Sequence, residues 1–320
     1  MHLAMMRAFH VPAPGQPPRL GNLSVPEMAE GTVLVRVRAA GLNAIDNLIA
    51  AGMLTGLLPH EYPLTLGRDA AGVVEAVGAG VDHVRVGDEV LGHILLASPI
   101  RHGTLAQYAP LPAAAVVLKP ANLDVIRAAA LPLAAATAVA AVDAIAPRPG
   151  QIVLVNGAGG GVGSFAVQLL VARSVVVIAT GSTASRDRLL ALGARTVVDY
   201  TLSSVVDQVR AAFPAGVDAL VNLAGYSAAD VPLEAVRTGG AVATTTEAPD
   251  DHALAAVGLV GGAVNGTPVR ETLGPLAEQA AAGRLKVHVA TVLPLDRAAD
   301  GLAVIAAGQA HGKIVVTIGA

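Results

Sequence analysis

Residues 151–173 read QIVLVNGAGGGVGSFAVQLLVAR, and this stretch limits what the chain can be more than any other. An apolar run at 152–155, leading into Asn156, has the length of a buried strand. Gly157, Gly159, Gly160 and Gly161 follow, Gly163 closes the loop, and after Ser164 the residues Phe165, Val167, Leu169, Leu170 and Val171 recur as in a helix buried on most sides. Strand, glycine loop and helix in this order open a βαβ unit of the dinucleotide-binding kind. The glycines let the backbone turn sharply and approach a pyrophosphate, whose charge is met by free N–H groups at the helix N-terminus. The strict G-x-G-x-x-G is absent, because Ala158 stands where the first glycine should be. Glycine-rich turns also join strands to helices with no ligand, so the context carries the inference: a strand before, a helix after, and another strand at 175–179. Ala158, Gly159, Gly160, Gly161, Val162 and Gly163 form the expected phosphate loop.

The type of nucleotide follows from what is missing further on. An NAD-preferring site places an acidic residue at the end of the second strand, about twenty residues past the glycines. Here no acidic residue occurs between Asp143 and Asp187, and the strand ends in Thr180 and Gly181, followed by Ser182, Thr183, Ser185 and Arg186. Without a carboxylate there is no repulsion of a 2′-phosphate, while hydroxyls and a guanidinium can bind it. Gly181, Ser182 and Arg186 are the expected contacts, and NADPH is the expected cofactor. The competing reading makes Ser185 a helix cap and Arg186 a solvated first-turn residue.

A length of 320 residues predicts about two domains. Hydrophobic residues make up 53% and charged ones 14%, which excludes long disordered stretches, while 2% aromatics and a net charge of −3 argue against nucleic-acid partners. The chain has no cysteine, so disulfides and thiolate metal sites are excluded and a cytoplasmic location is expected. The start reaches Pro12 and Pro14 too soon for a signal-peptide core, and the alanine-rich stretch at 125–146, broken by Arg127, Pro132 and Asp143, predicts a buried helix pair, so no membrane partner is expected.

Up to about residue 118 the pattern is short strands punctuated by Gly and Pro, clearest in the alternating TVLVRVRA at 32–39, with a short helix at 44–51. Beyond 123, strands expected at 151–156, 175–179, 196–198, 217–222 and 240–245 alternate with helices, which predicts a doubly wound parallel sheet in an α/β protein. The alternation stops after Gly266, and the helices and strands of 267–320 are expected to fold back onto the first domain. The divisions so predicted are 1–122, 123–266 and 267–320.

Several segments together resemble the medium-chain dehydrogenase/reductase superfamily, in its zinc-independent branch of quinone oxidoreductases and enoyl reductases. They are AGLNAIDNLIAAGM at 40–53, LGRDAAGVVEAVGAGVDHVRVGDEVLG at 66–92, GTLAQYA at 103–109, AALPLAAATA at 129–138, LGARTVVDY at 192–200 and GKIVV at 312–316. The resemblance implies a GroES-like β domain and a Rossmann domain. Zinc-dependent relatives carry Cys where Asn43 stands and His where Arg68 stands, so no metal ligand is expected here, and Arg68 is expected to pair with Asp46 or Asp69. By similarity Asn43 and Asp46 lie near the nicotinamide and substrate, Thr137 contacts the nicotinamide side, Tyr200 lies beside the adenosine ribose phosphate, and Lys313 is in the strand that closes the cofactor cleft.

The implied reaction is hydride transfer from NADPH to a quinone carbon or an electron-poor C=C. Asn43, through its amide N–H, is the first candidate to meet charge on the substrate oxygen; Tyr62, Asp46 and water compete as proton source. Leu48 and Leu54 stand where relatives carry aromatics, which makes the entrance less suited to stacking a flat quinone. An enoyl-thioester reductase and an NADPH-binding protein with little catalysis remain as alternatives. The loops at 46–62 and 245–270 are expected to select the substrate, and the apolar stretch at 254–264 to mediate a homodimer.

Overall fold

The alternation at 32–39 does form a strand, and the burial pattern shows why. Val33, Val35 and Val37 are buried, while Arg36 and Arg38 reach solvent and pair with Glu75 at 3.3 Å and Glu89 at 2.9 Å. The computed structural model describes residues 5–225, 227–246 and 251–319. In chain order its elements are β1 (Met5–Val11), β2 (Arg19–Ser24), β3 (Thr32–Gly41), α1 (Ala44–Ala50), β4 (Leu64–Thr65), β5 (Asp69–Val77), β6 (Glu89–His93), β7 (Tyr108–Pro112), β8 (Val116–Leu118), α2 (Val125–Ala130) and α3 (Pro132–Ala144). They continue with β9 (Ile152–Asn156), α4 (Gly161–Ala172), β10 (Val176–Gly181), α5 (Thr183–Ala191), β11 (Thr196–Asp199), α6 (Val205–Ala212), β12 (Val217–Asn222), β13 (Val236–Thr244), α7 (Asp251–Ala256) and β14 (Val260–Ala263). The last four are α8 (Arg270–Ala281), β15 (Val289–Pro294), α9 (Ala298–Ala306) and β16 (Lys313–Thr317).

The chain divides into two units, one of Met1–Leu133 with Thr267–Ala320 and the other of Ala134–Gly266. The first holds a three-stranded sheet, β2-β1-β4, and a seven-stranded one in which β15-β16-β3-β5-β6-β8 run in order and β7 also pairs with β3. The C-terminal segment enters this sheet through β16, antiparallel to β3, with Val316 opposite Ala40. That pairing brings Lys313 beside the chain leaving β3. The first unit reaches further than the boundary expected at 122. α2 belongs to it, packed so closely that a Cβ on Gly41 would lie 2.3 Å from the Ala129 carbonyl oxygen.

The second unit is a six-stranded sheet in the order β11-β10-β9-β12-β13-β14, parallel throughout. Val153, Leu154 and Val155 of its central strand are fully buried, as expected of a strand covered on both faces. The chain winds outward from β9 in one direction and from β12 in the other. The order therefore reverses between these two strands, and in open α/β sheets ligands bind at that reversal, beyond the strands' carboxyl ends. The sixth strand, β14, falls within the apolar stretch at 254–264 and carries Gly261 and Gly262. The first of these has to be glycine, since a Cβ there would sit 1.9 Å from the Val242 carbonyl oxygen.

Leu154 is central to the apolar cluster of this sheet, with Ile178, Leu220 and Val242. Leu154→Ala is expected to lower stability by about 2–5 kcal/mol through lost burial and the remaining cavity. Chemical denaturation of the purified variant measures this; a loss below about 1 kcal/mol would mean the sheet's interior is looser than described.

Candidate functional site

At the carboxyl end of β9 the chain must turn from strand to helix within a few residues, and the glycines show how. Gly157 takes φ 81°, in the left-handed region that an L side chain disfavours. Ala158, at the position where the motif's first glycine was expected, is fully buried and has no positive φ, so a methyl group is accommodated there. Gly163 has no room for a side chain at all: its Cβ would lie 2.3 Å from the Gly157 carbonyl oxygen and 2.5 Å from the Ala158 Cα. Its bareness lets the first turn of α4 close on the end of β9.

The loop's carbonyls are turned to the protein. Gly157 O accepts the Gly160 N–H at 3.1 Å, and Gly160 O accepts both the Ser164 N–H at 3.1 Å and the Ser164 hydroxyl at 2.9 Å. Gly159 O accepts an N–H of Arg188 at 2.8 Å. The first N–H groups of a helix have no partner within it, so Gly161, Val162 and Gly163 present donors at the start of α4. Together with the field at a helix N-terminus, this makes a cradle for a pyrophosphate.

A belt of polar side chains runs across the strand ends, and the sequence reading did not find it. Asn156 donates to Asn222 at 2.8 Å and accepts from the Thr180 hydroxyl at 3.0 Å; Thr180 in turn accepts the Gly157 N–H at 2.8 Å. Asn222 donates to Thr244 at 3.2 Å and to Thr246 at 3.0 Å. The available signal was that Asn156, Asn222 and Thr244 each follow an apolar run at the end of a strand.

Beyond β10, Gly181 packs against Ser185 and Leu189 of α5, where a Cβ would fall 2.6 Å from each side chain. The Ser182 hydroxyl, immediately before α5, is buried with no hydrogen-bond partner. Such an atom at the strand end suits a ligand oxygen, so Gly181 and Ser182 fit the adenosine end of a dinucleotide. Arg186 is exposed and donates to the Val197 carbonyl at 3.3 Å. Tyr200 is 52% exposed just past β11. Asp199, at the end of that strand, accepts the Thr183 hydroxyl at 2.9 Å and the Thr201 hydroxyl at 2.6 Å, an acidic neighbour that linear spacing did not reveal. Thr137 in α3 packs against the backbone of Gly266, where a Cβ would lie 2.4 Å from its hydroxyl.

The first unit holds a separate cluster of buried charge. Asp69 accepts from His93 at 2.7 Å, from the Leu133 N–H at 3.1 Å and from the Asn43 amide at 2.8 Å. Lys313 donates to the Leu42 carbonyl at 2.8 Å and to the Asn43 amide oxygen at 2.6 Å, and its ammonium lies 3.6 Å from Asp69. Burial pushes the Asp69 carboxyl up, but His93, Lys313 and Asn43 outweigh it and hold the group below the usual carboxylate range. Burial likewise pushes the Lys313 ammonium down, against the pull of Asp69 and Asp46.

The Asn43 amide N–H groups donate to Asp69 and, at 3.4 Å, to the Gly41 carbonyl, while its oxygen accepts from Lys313. Asn43 thus braces the loop after β3. Arg68 was to pair with Asp46 or Asp69. It donates instead to the His102 carbonyl at 3.4 Å, and its remaining Nε and Nη2 groups are buried without a partner, as are Asp46 Oδ1 and the Thr104 hydroxyl. Asp46 keeps one bond, from the Asn43 N–H at 2.8 Å. The Tyr62 hydroxyl lies 3.5 Å from His60. Of the loops expected to select the substrate, residues 247–250 lie outside the described residues.

A zinc ion does not suit this donor set. Asn43 is spent on its neighbours, Arg68 and Lys313 already place two cations there, and among the described residues no three or more His, Asp or Glu side chains gather to hold a metal.

Comparison with known proteins agrees with this geometry. Residues 29–121 match the family described as alcohol dehydrogenase GroES-like domain, and 192–316 the family described as zinc-binding dehydrogenase. The chain is 33% identical over 302 residues to 2-methylene-furan-3-one reductase of Solanum lycopersicum, covering 92% of this chain and 74% of the relative. It is 32% identical, with the same coverage, to the chloroplastic NADPH-dependent alkenal/one oxidoreductase of Arabidopsis thaliana. Among solved structures, the quinone oxidoreductase of Coxiella burnetii superposes with a TM-score of 0.85 at 25% identity, covering 99% of this chain and 100% of that one.

Burial pushes the Asp46 carboxyl up to about 7, against the Asn43 N–H and the charge of Arg68. Below about pH 4 the group is protonated in both folded and unfolded chains and carries no penalty. As pH rises the unfolded chain releases the proton first, so stability is lost up to about pH 7, by at most ~4 kcal/mol. Asp46→Asn keeps an acceptor for Asn43 and removes the titration. Its stability is expected to exceed wild type by a larger margin at pH 8 than at pH 5, by thermal or urea unfolding at both values. An equal loss at both would contradict a protonated Asp46.

Proposed function

The chain belongs to the medium-chain dehydrogenase/reductase superfamily, in its branch of quinone and enone reductases, and on that premise we propose that it reduces activated C=C bonds or quinones with NADPH. The observation that carries this reading is the phosphate loop, whose carbonyls face the protein while helix N–H groups face outward, next to a buried Ser182 hydroxyl with no protein partner. The nucleotide, when bound, supplies the hydride.

The residues of the chain do the rest. Gly161, Val162 and Gly163 bind the pyrophosphate; Gly181, Ser182, Arg186 and Tyr200 surround the adenosine ribose and its 2′-phosphate; Thr137 orients the nicotinamide. The hydroxyls on Asp199 engage its charge and so limit repulsion of the 2′-phosphate. In the first unit Lys313, Asp69 and His93 hold Asn43 rigid, which fixes the start of α1. Asp46 and Tyr62 are the side chains able to release a proton to the reduced substrate. Leu48 is 38% exposed and Met53 70% exposed around that helix, an aliphatic surface that suits enones with alkyl substituents. The same reading takes the chain to act in the cytoplasm, where a cysteine-free protein needs no oxidising compartment.

The reading also includes a homodimer. β14 is an edge strand of the parallel sheet, and Val260 on it is 61% exposed. Light scattering of the purified chain is expected to give twice the monomer mass; a monomer at all concentrations would remove this part.

Oxidation of NADPH in the presence of 1,4-benzoquinone, an alkyl vinyl ketone and a crotonyl thioester tests the activity. Turnover of the enone and the quinone is expected, with a KM for NADPH at least about tenfold below that for NADH. Turnover of the thioester alone would transfer the protein to the acyl-reductase alternative. Silence with every acceptor at full cofactor occupancy would make it a binding protein, and equal KM values would refute the choice of nucleotide.

A further inference from the structure

Arg188 was not among the expected site residues, yet it makes the contacts that shape the phosphate loop. It lies on α5, half-buried, and reaches across to the turn after β9. One N–H donates to the Gly159 carbonyl at 2.8 Å and another to the Ser164 hydroxyl at 2.8 Å. Ser164, 2% exposed, passes its own hydrogen on to the Gly160 carbonyl at 2.9 Å. A single guanidinium therefore ties down two consecutive loop carbonyls, one directly and one through Ser164.

The consequence for an anionic ligand is electrostatic. A carbonyl oxygen left free beside a pyrophosphate would repel it, and a loop free to rotate its peptides would lose the convergent N–H groups that the ligand needs. Charge-assisted bonds from a planar fork are the strongest available to a backbone carbonyl, and arginine is the side chain that makes two of them from fixed positions. Its charge also offsets the partial negative charge of the carbonyls it holds.

We infer that Arg188 is a positioning residue for nucleotide binding: it holds the Gly159–Gly160 segment in the conformation that receives the pyrophosphate, without itself touching the ligand. This rests on the proposed function, and it assigns the role to an arginine two positions beyond the one expected from sequence. Arg186 points to the Val197 carbonyl and makes no bond to the loop.

The test separates the pyrophosphate from the rest of the nucleotide. NADPH binding is followed by quenching of its fluorescence, and binding of adenosine 2′-monophosphate, which has the ribose phosphate but no pyrophosphate, by calorimetry. In Arg188→Met the dissociation constant for NADPH is expected to rise about tenfold or more, while that for adenosine 2′-monophosphate stays within about twofold. Arg188→Lys, with the charge but not the fork, should fall between wild type and Met. Ser164→Ala removes only the relayed bond and should give a smaller rise in the same pattern, which serves if the arginine variants unfold.

Equal weakening of both ligands would mean that Arg188 supports the whole site or touches the 2′-phosphate, and would overturn the inference. So would unchanged NADPH binding in Arg188→Met and Ser164→Ala. If the wild-type protein binds neither nucleotide, the proposed function fails and this inference with it; if wild type binds and the variants bind equally, only the inference fails.

Discussion

The closeness of helix and strand at Gly163 is the constraint on which the second unit depends. Any side chain there would drive into the backbone of Gly157 and Ala158, so the first turn of α4 could not sit against the end of β9. From that contact the rest follows. The helix N-terminus points at the strand ends, the loop between them is short, and its carbonyls have partners on the protein side in Gly160, Ser164 and Arg188. What remains for a ligand is a set of donors with a favourable field, at the point where the sheet reverses its order. The belt from Thr180 through Asn156 and Asn222 to Thr244 then fixes the floor of that crevice in polar bonds across four strands.

The first unit solves a different problem, that of keeping charge inside a β-rich core. Around Asp69 the solution is complete, since each oxygen has donors and Lys313 balances the charge. Around Asp46 and Arg68 it is incomplete: two opposite charges influence each other without forming an ion pair, and each keeps polar atoms unmatched. Unmatched buried groups of this kind cost about 1–3 kcal/mol each and persist where something other than stability maintains them.

Much of this was legible beforehand, for identifiable reasons. The strand–loop–helix of 151–173 and the parallel alternation could be read because strands buried on both faces are apolar throughout, and 152–155 was such a run. The missing acid after β10 could be read because it is a matter of spacing along one segment. What escaped depends on distances across the fold. Asn156 and Asn222 lie 66 positions apart and meet only because β9 and β12 are neighbours. Arg188 reads as one more charge on an exposed helix until α5 is laid beside the loop. The spent amide of Asn43 depends on Lys313, 270 positions away. The division between the units falls at Leu133 and not at 122, inside one alanine-rich stretch whose composition does not show that α2 packs on Gly41.

Hydrogen–deuterium exchange of the purified chain with and without NADPH addresses the central claim most directly, because it reads backbone amides rather than turnover. The account predicts slower exchange in peptides covering 157–165 and 180–188. No change in those peptides at a saturating concentration of the nucleotide, or slowing found only in the sheets of the first unit, would contradict it.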